Sequence, residues 1–270
     1  MSVMSRTQKR IVMVALAAVL CLITAVGALA QRRSFFYGWD ESVRNLPYDG
    51  RFTFARVRYT PAPGGYWAGG RASWVHGYPL AEQNLMRIMK DIALLDVHID
   101  DINVVTLDSD ELFKYPLAYL IEPGWWTMNE REVAGLRAFL KKGGFLIVDD
   151  FKVEGWRDIP GGGWQPFADS VQRVLPGARF FDMDLSHPIF HSFFEVKALD
   201  NFPQAYNDGN PAFRGVYEDN DPKKRLMMII NYNTDISQFW EWSARGFRPV
   251  DDTNEAYKLG VNYLMYGMTH

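Results

Sequence analysis

The chain has 270 residues, 48% of them hydrophobic and 23% charged, with a formal net charge of −3 and one cysteine. That cysteine is Cys21, inside an N-terminal apolar stretch, so the body of the chain has no thiol for a cysteine nucleophile, a disulfide framework or a thiolate metal site. The acidic balance also leaves no electrostatic footprint for nucleic acid.

The first thirty residues read as an export signal. Arg6, Lys9 and Arg10 make a positive start, Ile11 to Leu29 is apolar apart from Thr24 and Gly27, and Ala28-Leu29-Ala30 is a cleavage pattern before Gln31. The same run is long enough to act instead as an uncleaved membrane anchor. Leu20 stands before Cys21 where a lipoprotein signal needs a small residue. On either reading the body is expected outside the cytoplasm, in the periplasm or cell envelope, with membrane attachment through residues 11–29 if the segment stays. Removing these thirty residues takes the formal charge from −3 to −6 and leaves all 18 Phe, 13 Tyr and 9 Trp in the remainder.

Residues 31–50 read as a connecting arm, and residues 51–270 as one α/β domain, a size ordinary for that class. Phe52 to Tyr59 alternates, with Phe52, Phe54 and Val57 against Thr53, Arg56 and Arg58, which predicts a strand. Pro61 to Gly70 is a glycine- and proline-rich loop. Pro79 opens a helix in which Leu85, Ile88, Met89 and Ile92 recur at helical spacing. Asn103 to Leu107 is a short strand, and Leu117 to Ile121 an unbroken apolar run, as in a strand buried on both faces. Asn129 caps the next helix, Lys141-Lys142 and Gly143-Gly144 end it, and Phe145 to Val148 is another buried strand. A glycine loop (Gly161 to Gly163) follows. Then come a helix near Trp164 to Leu175, a strand near Ala178 to Met183, an apolar strand from Leu226 to Ile230, and a last helix from about Asn254 to Tyr266. This is the rhythm of a doubly wound, mostly parallel sheet.

In such sheets ligands bind beyond the carboxyl ends of the strands. Polar residues follow several of them: Glu122, the pair Asp149 and Asp150, and the run Asn231, Asn233 and Asp235. A carboxylate pair there suits acid–base work or a hard cation, whereas capping and turns also call for Asp and Asn at strand ends. Adjacent residues of a strand point to opposite faces, so one of Asp149 and Asp150 is expected to face the crevice. His187 and His191 stand four apart, a spacing that on a helix could seat a metal. Pro188 breaks that helix, no glutamate motif accompanies it, and no metal is assigned. Trp240 and Glu241, with Trp67, Trp74, Trp125 and Trp126, offer stacking surfaces for a sugar ring or peptide, or else fill the core. No phosphate loop, dinucleotide fingerprint or serine-hydrolase elbow occurs.

Six pieces in order carry a resemblance. They are Arg56-Val57-Arg58-Tyr59, Leu112-Phe113-Lys114-Tyr115-Pro116, the run from Gly143 to Phe151, His187-Pro188-Ile189-Phe190, Asn233-Thr234-Asp235 with Trp240-Glu241-Trp242, and Asn254 to Tyr263. Together they resemble the bacterial domain-of-unknown-function family 4159 over about residues 50–270. That family is similar to the class I glutamine amidotransferase-like superfamily, and the His-Pro-Ile piece is similar to its trehalose-utilisation branch. The resemblance implies a flavodoxin-like sheet and assigns no activity. An amidotransferase needs a cysteine at the turn after a central strand, and here that turn is Asp149-Asp150-Phe151.

The expectation is therefore an exported cell-envelope module without a cofactor, binding a small molecule, a carbohydrate or an envelope protein. Its contacts would be Glu122, Asp149, Asp150, Asn233, Asp235, Trp240 and Glu241. The alternative is an enzyme acting on an envelope carbohydrate, with Asp149 or Asp150 as base and His187 or Asp235 assisting.

Overall fold

The apolar runs expected as buried strands form the centre of one sheet. The computed structural model describes residues 43–67, 70–150, 163–204 and 210–270. The predicted export segment with Cys21, most of the connecting arm, Phe151 and Gly161 lie outside the described residues.

Seven strands make up the main sheet: β1 (Ala55–Val57), β4 (Asn103–Val105), β5 (Leu117–Ile121), β6 (Phe145–Asp149), β7 (Phe181–Asp182), β8 (Ala212–Tyr217) and β9 (Leu226–Tyr232). Their order is β4-β1-β5-β6-β9-β8-β7, and a separate hairpin pairs β2 (Tyr66–Trp67) with β3 (Arg71–Ala72). The five strands from β4 to β9 run parallel, while β8 and β7 close the sheet by antiparallel pairing. Their order along the chain is consistent with the 2-1-3-4-5 order of flavodoxin-like sheets.

Among the described residues, five α-helices flank the sheet: α1 (Leu80–Ile92), α2 (Glu130–Lys141), α3 (Trp164–Val174), α4 (Ile236–Glu241) and α5 (Val250–Thr269). α1, α4 and α5 pack on one another, and α2 packs on α3. Every residue of β5 and β6 is buried, as a sheet covered on both faces requires. α2 starts where the sequence indicates, with a full capping box between Asn129 and Glu132. The end of the arm covers the free edge of β4: Asn45 Nδ2 donates to the Val104 carbonyl at 2.7 Å, and the Val104 amide donates back to Asn45 Oδ1 at 2.8 Å.

Three expectations need correction. β1 does not alternate: it is buried throughout, Arg56 included, because both faces of the sheet are covered. The strand expected over Ala178 to Met183 shrinks to Phe181–Asp182 at the sheet edge. β8 was not expected, since Arg214 and Gly215 interrupt its apolar pattern.

The buried Arg56 is held by α1. Its Nε donates to Glu82 Oε1 at 2.6 Å, and its Nη2 also contacts that carboxylate. Its Nη1 donates to the carbonyls of Trp74 and His76 at 3.0 and 3.2 Å, so the pair pins the loop between β3 and α1 to the sheet. Burial raises the Glu82 carboxyl, partly offset by the guanidinium. Breaking such a pair from one side strands a buried charge, whereas replacing both partners by apolar groups does not. Glu82→Ala should therefore lower the unfolding free energy by about 3–5 kcal/mol in urea titrations, with Arg56→Met/Glu82→Leu recovering most of it. An undiminished loss in the double variant would contradict this account.

Candidate functional site

Glu122, Asp150 and Asn233 come directly after β5, β6 and β9, three neighbouring strands. Each has a positive φ, of 50°, 55° and 55°. Left-handed backbone is rare outside glycine, easier for Asp and Asn, and strained for Glu. Held by surrounding structure, such positions gather at functional sites. They turn the chain sharply at the carboxyl edge, where parallel α/β sheets bind ligands.

Asp149, the last residue of β6, does not face the crevice. Its Oδ1 accepts from Asn231 Nδ2 at 3.0 Å and from the Ile236 amide at 3.3 Å. Its Oδ2 accepts from the Tyr119 hydroxyl at 2.6 Å and the Ser237 amide at 3.0 Å. Asn231 Oδ1 then accepts from Tyr263 on α5 at 2.8 Å. One carboxylate thus ties β5, β6 and β9 to the start of α4. Burial, then the charge of Asp235, push its carboxyl above the ordinary range, against its hydrogen bonds to Tyr119 and Asn231.

Asp150, one residue on and turned by its left-handed backbone, meets His76. The imidazole Nδ1 lies 2.7 Å from Asp150 Oδ2 and 3.2 Å from Glu122 Oε1. A ligating atom from each of His76, Asp150 and Asp235 falls within 4.8 Å of the others. Asp235 caps α4: its Oδ1 accepts from the Gln238 amide at 2.9 Å and from Ser237 Oγ at 2.8 Å. Its Oδ2 is buried and, among the described residues, accepts no hydrogen bond. Burial, then the nearby Asp150, raise its carboxyl. Burial works against charge on His76, but its hydrogen bonds to Asp150 and Glu122 prevail and raise it well above its usual value.

The loop carrying His76 is fixed from two sides. Arg56 holds its carbonyls, and Ser73 Oγ is 2.9 Å from the Tyr59 hydroxyl. That hydroxyl also lies 2.9 and 2.7 Å from the carbonyls of Ile121 and Glu122, joining the loop to the end of β5. Gly77 follows with φ 69°, and a Cβ there would stand 3.4 Å from Glu241 Oε2, so Glu241 walls the same loop. The Trp67 ring, from the β2–β3 hairpin, lies 5.2 Å from the imidazole.

Glu122, Asp150, Asp235 and Glu241 therefore lie together at this edge, and Asn233 shares the strand-end turn. Three other expectations are corrected. Trp240 is a core residue, 2% exposed, its Nε1 donating to the Ala256 carbonyl at 3.0 Å and its ring tilted against Tyr119. His187 lies at the opposite end of the sheet, beside Tyr217, which pairs with Leu226 where β9 begins. It cannot assist Asp150, and its Nδ1 accepts from the Ile189 amide at 3.1 Å as a cap. His191 points elsewhere, to Glu195 Oε2 at 2.6 Å and the Leu185 carbonyl, so the two histidines form no ligand pair. Trp74, Trp125 and Trp126 are buried, leaving Trp67 as the partly exposed ring at the site. Sequence reasoning missed His76, a lone histidine with no motif spacing. Its one signal was a position between a glycine loop and a helix start. A cavity of about 750 Å³ lined by Arg137, Lys141, Tyr217 and Asp219 lies at the far end of the sheet, away from this chemistry.

Residues 53–268 match the family described as Domain of unknown function (DUF4159), and the chain belongs to it. No curated protein matches the sequence.

The two adjacent aspartates should separate in stability experiments. Asp149→Ala leaves two side-chain and two backbone donors buried without an acceptor, and should destabilise by about 3 kcal/mol or more. Asp150→Asn keeps a residue that tolerates the left-handed turn, and should stay within about 1 kcal/mol of the parent. Denaturant unfolding of both variants checks the contrast, and equal losses would refute it.

Proposed function

We propose that this protein is an exported module of the bacterial cell envelope whose strand-end crevice binds a small cationic or polyhydroxylated ligand. The observation that carries the reading is the meeting of His76 with Glu122, Asp150 and Asp235 from separate elements. Buried carboxylates are stable only when something compensates their charge, and one imidazole balances one of them. A site of that composition selects ligands that bring positive charge or hydrogen-bond donors. Trp67 at the rim adds a flat apolar face of the kind that stacks on a sugar ring. The envelope address rests on the export pattern of residues 1–30.

Kinship with the class I glutamine amidotransferase-like superfamily belongs to the same reading, supported by the order of the parallel strands and the tight turn after the central β6. Asp150 occupies that turn. With no thiol beyond Cys21, thioester chemistry is closed to this chain. A second reading, hydrolysis of an envelope carbohydrate, is favoured by the short reach between Asp150, Asp235 and His76, which lets one group act as base while another stays protonated.

Thermal-shift screening of the full chain against saccharides and amines should give ligands that raise the melting temperature, an effect lost in Asp150→Asn. Ligands whose shift survives that substitution would place binding elsewhere. Turnover of a saccharide hit that disappears in Asp150→Asn would select the hydrolase. Epitope-tagged protein should fractionate with the periplasm or membrane, and recovery in the cytosol would remove the envelope assignment.

A further inference from the structure

We propose that His76, Asp150 and Asp235 form a mononuclear site for a divalent transition-metal ion, Zn²⁺ or Mn²⁺. The proposal rests on reading the strand-end crevice as a ligand site, and names the ion that occupies it.

Three observations carry it. First, the spacing fits. Ligand atoms about 2.1 Å from one ion stand roughly 3–4 Å from each other; here they fall within 4.8 Å, and the 2.7 Å hydrogen bond from His76 Nδ1 to Asp150 Oδ2 would open by about 1 Å to admit the ion. Second, one donor is already without a partner. Asp235 is 1% exposed and its Oδ1 is held by the α4 cap, while Oδ2 is buried and accepts no hydrogen bond among the described residues. A buried carboxylate oxygen left in that state is unfavourable unless something else binds it. Third, the donors are held rigidly. Asp150 follows β6 in a turn locked beside the Asp149 network, Asp235 is fixed by its helix, and the His76 carbonyl is gripped by Arg56. A prepositioned set loses little entropy on binding an ion.

The donor chemistry narrows the ion. One imidazole with two carboxylates suits zinc or manganese, whereas magnesium and calcium favour all-oxygen sets. Glu122 Oε1, 3.2 Å from the same imidazole nitrogen, is placed to add a fourth donor or to hold a metal-bound water.

Full chain in mild detergent, stripped with chelator and dialysed, would be titrated with Zn²⁺ and Mn²⁺ by calorimetry, with Mg²⁺ and Ca²⁺ alongside. One equivalent of Zn²⁺ or Mn²⁺ at micromolar affinity or better is expected. His76→Gln, Asp150→Asn and Asp235→Asn should each weaken it by about tenfold or more. Asp235→Asn keeps an oxygen for the α4 cap, and circular dichroism would confirm that each variant is folded. His191→Gln, at a surface histidine, should change nothing. A Co²⁺ titration should give visible absorption bands that vanish in His76→Gln. Sub-stoichiometric binding, or binding that tracks His191 instead of His76, overturns the proposal. Repeating the saccharide and amine screen in chelator separates the two readings. An Asp150-dependent shift there, with no stoichiometric metal, overturns the ion and leaves the crevice as a ligand site. Stoichiometric metal with no organic hit in either condition supports the ion and removes the small-molecule reading.

Discussion

The carboxylate of Asp149 is the constraint on which the rest of this edge depends. A charge at the end of a central strand is unfavourable unless fully solvated by the protein. Here the protein supplies two side-chain donors and two backbone amides. Satisfying them sets the distance from β6 to the Tyr119 hydroxyl on β5, to Asn231 on β9, and to the first turn of α4. With α4 set, so is Asp235 at its cap. The residue that looks most chemical in the sequence is therefore a structural keystone, and its neighbours inherit their geometry from it.

A second anchor does the same for the other wall. Arg56 and Glu82 form an ion pair with neither side chain exposed, and the guanidinium reaches past its partner to two carbonyls of the loop that carries His76. Pairs of this kind are weak sources of stability but strong sources of position. Tyr59 closes the frame by bridging that loop and the end of β5. The crevice lies over the carboxyl ends of β5, β6 and β9 and is walled by the loop that enters α1, on the edge where sheets of this strand order bind ligands.

Much of this fold was legible in the sequence because its signals are local. The apolar runs of β5, β6 and β9 and the Asn129 capping box announce themselves within a few residues. β1 was misread since a buried arginine mimics a solvent-facing residue; only its partner, 26 positions away on α1, shows otherwise. The strand-end carboxylates were found by a rule about sheets, but their separate roles were not. Asp149 and Asp150 look alike until the donors around each are known. His76 was missed for the same reason, since the turn that brings it to Asp150 spans 74 residues. His187 drew notice through spacing alone, and lies at the wrong end of the sheet.

The three left-handed residues at the ends of β5, β6 and β9 have an evolutionary consequence. A backbone bent that way accepts glycine with little steric penalty, so folding alone exerts weak pressure to keep larger side chains there. Drift toward glycine would be the neutral path. Among relatives, the residue types at positions 122, 150 and 233 therefore act as a natural assay. Retained Glu, Asp and Asn would record selection on what the crevice does, and glycines would mark lineages in which the scaffold outlived its use.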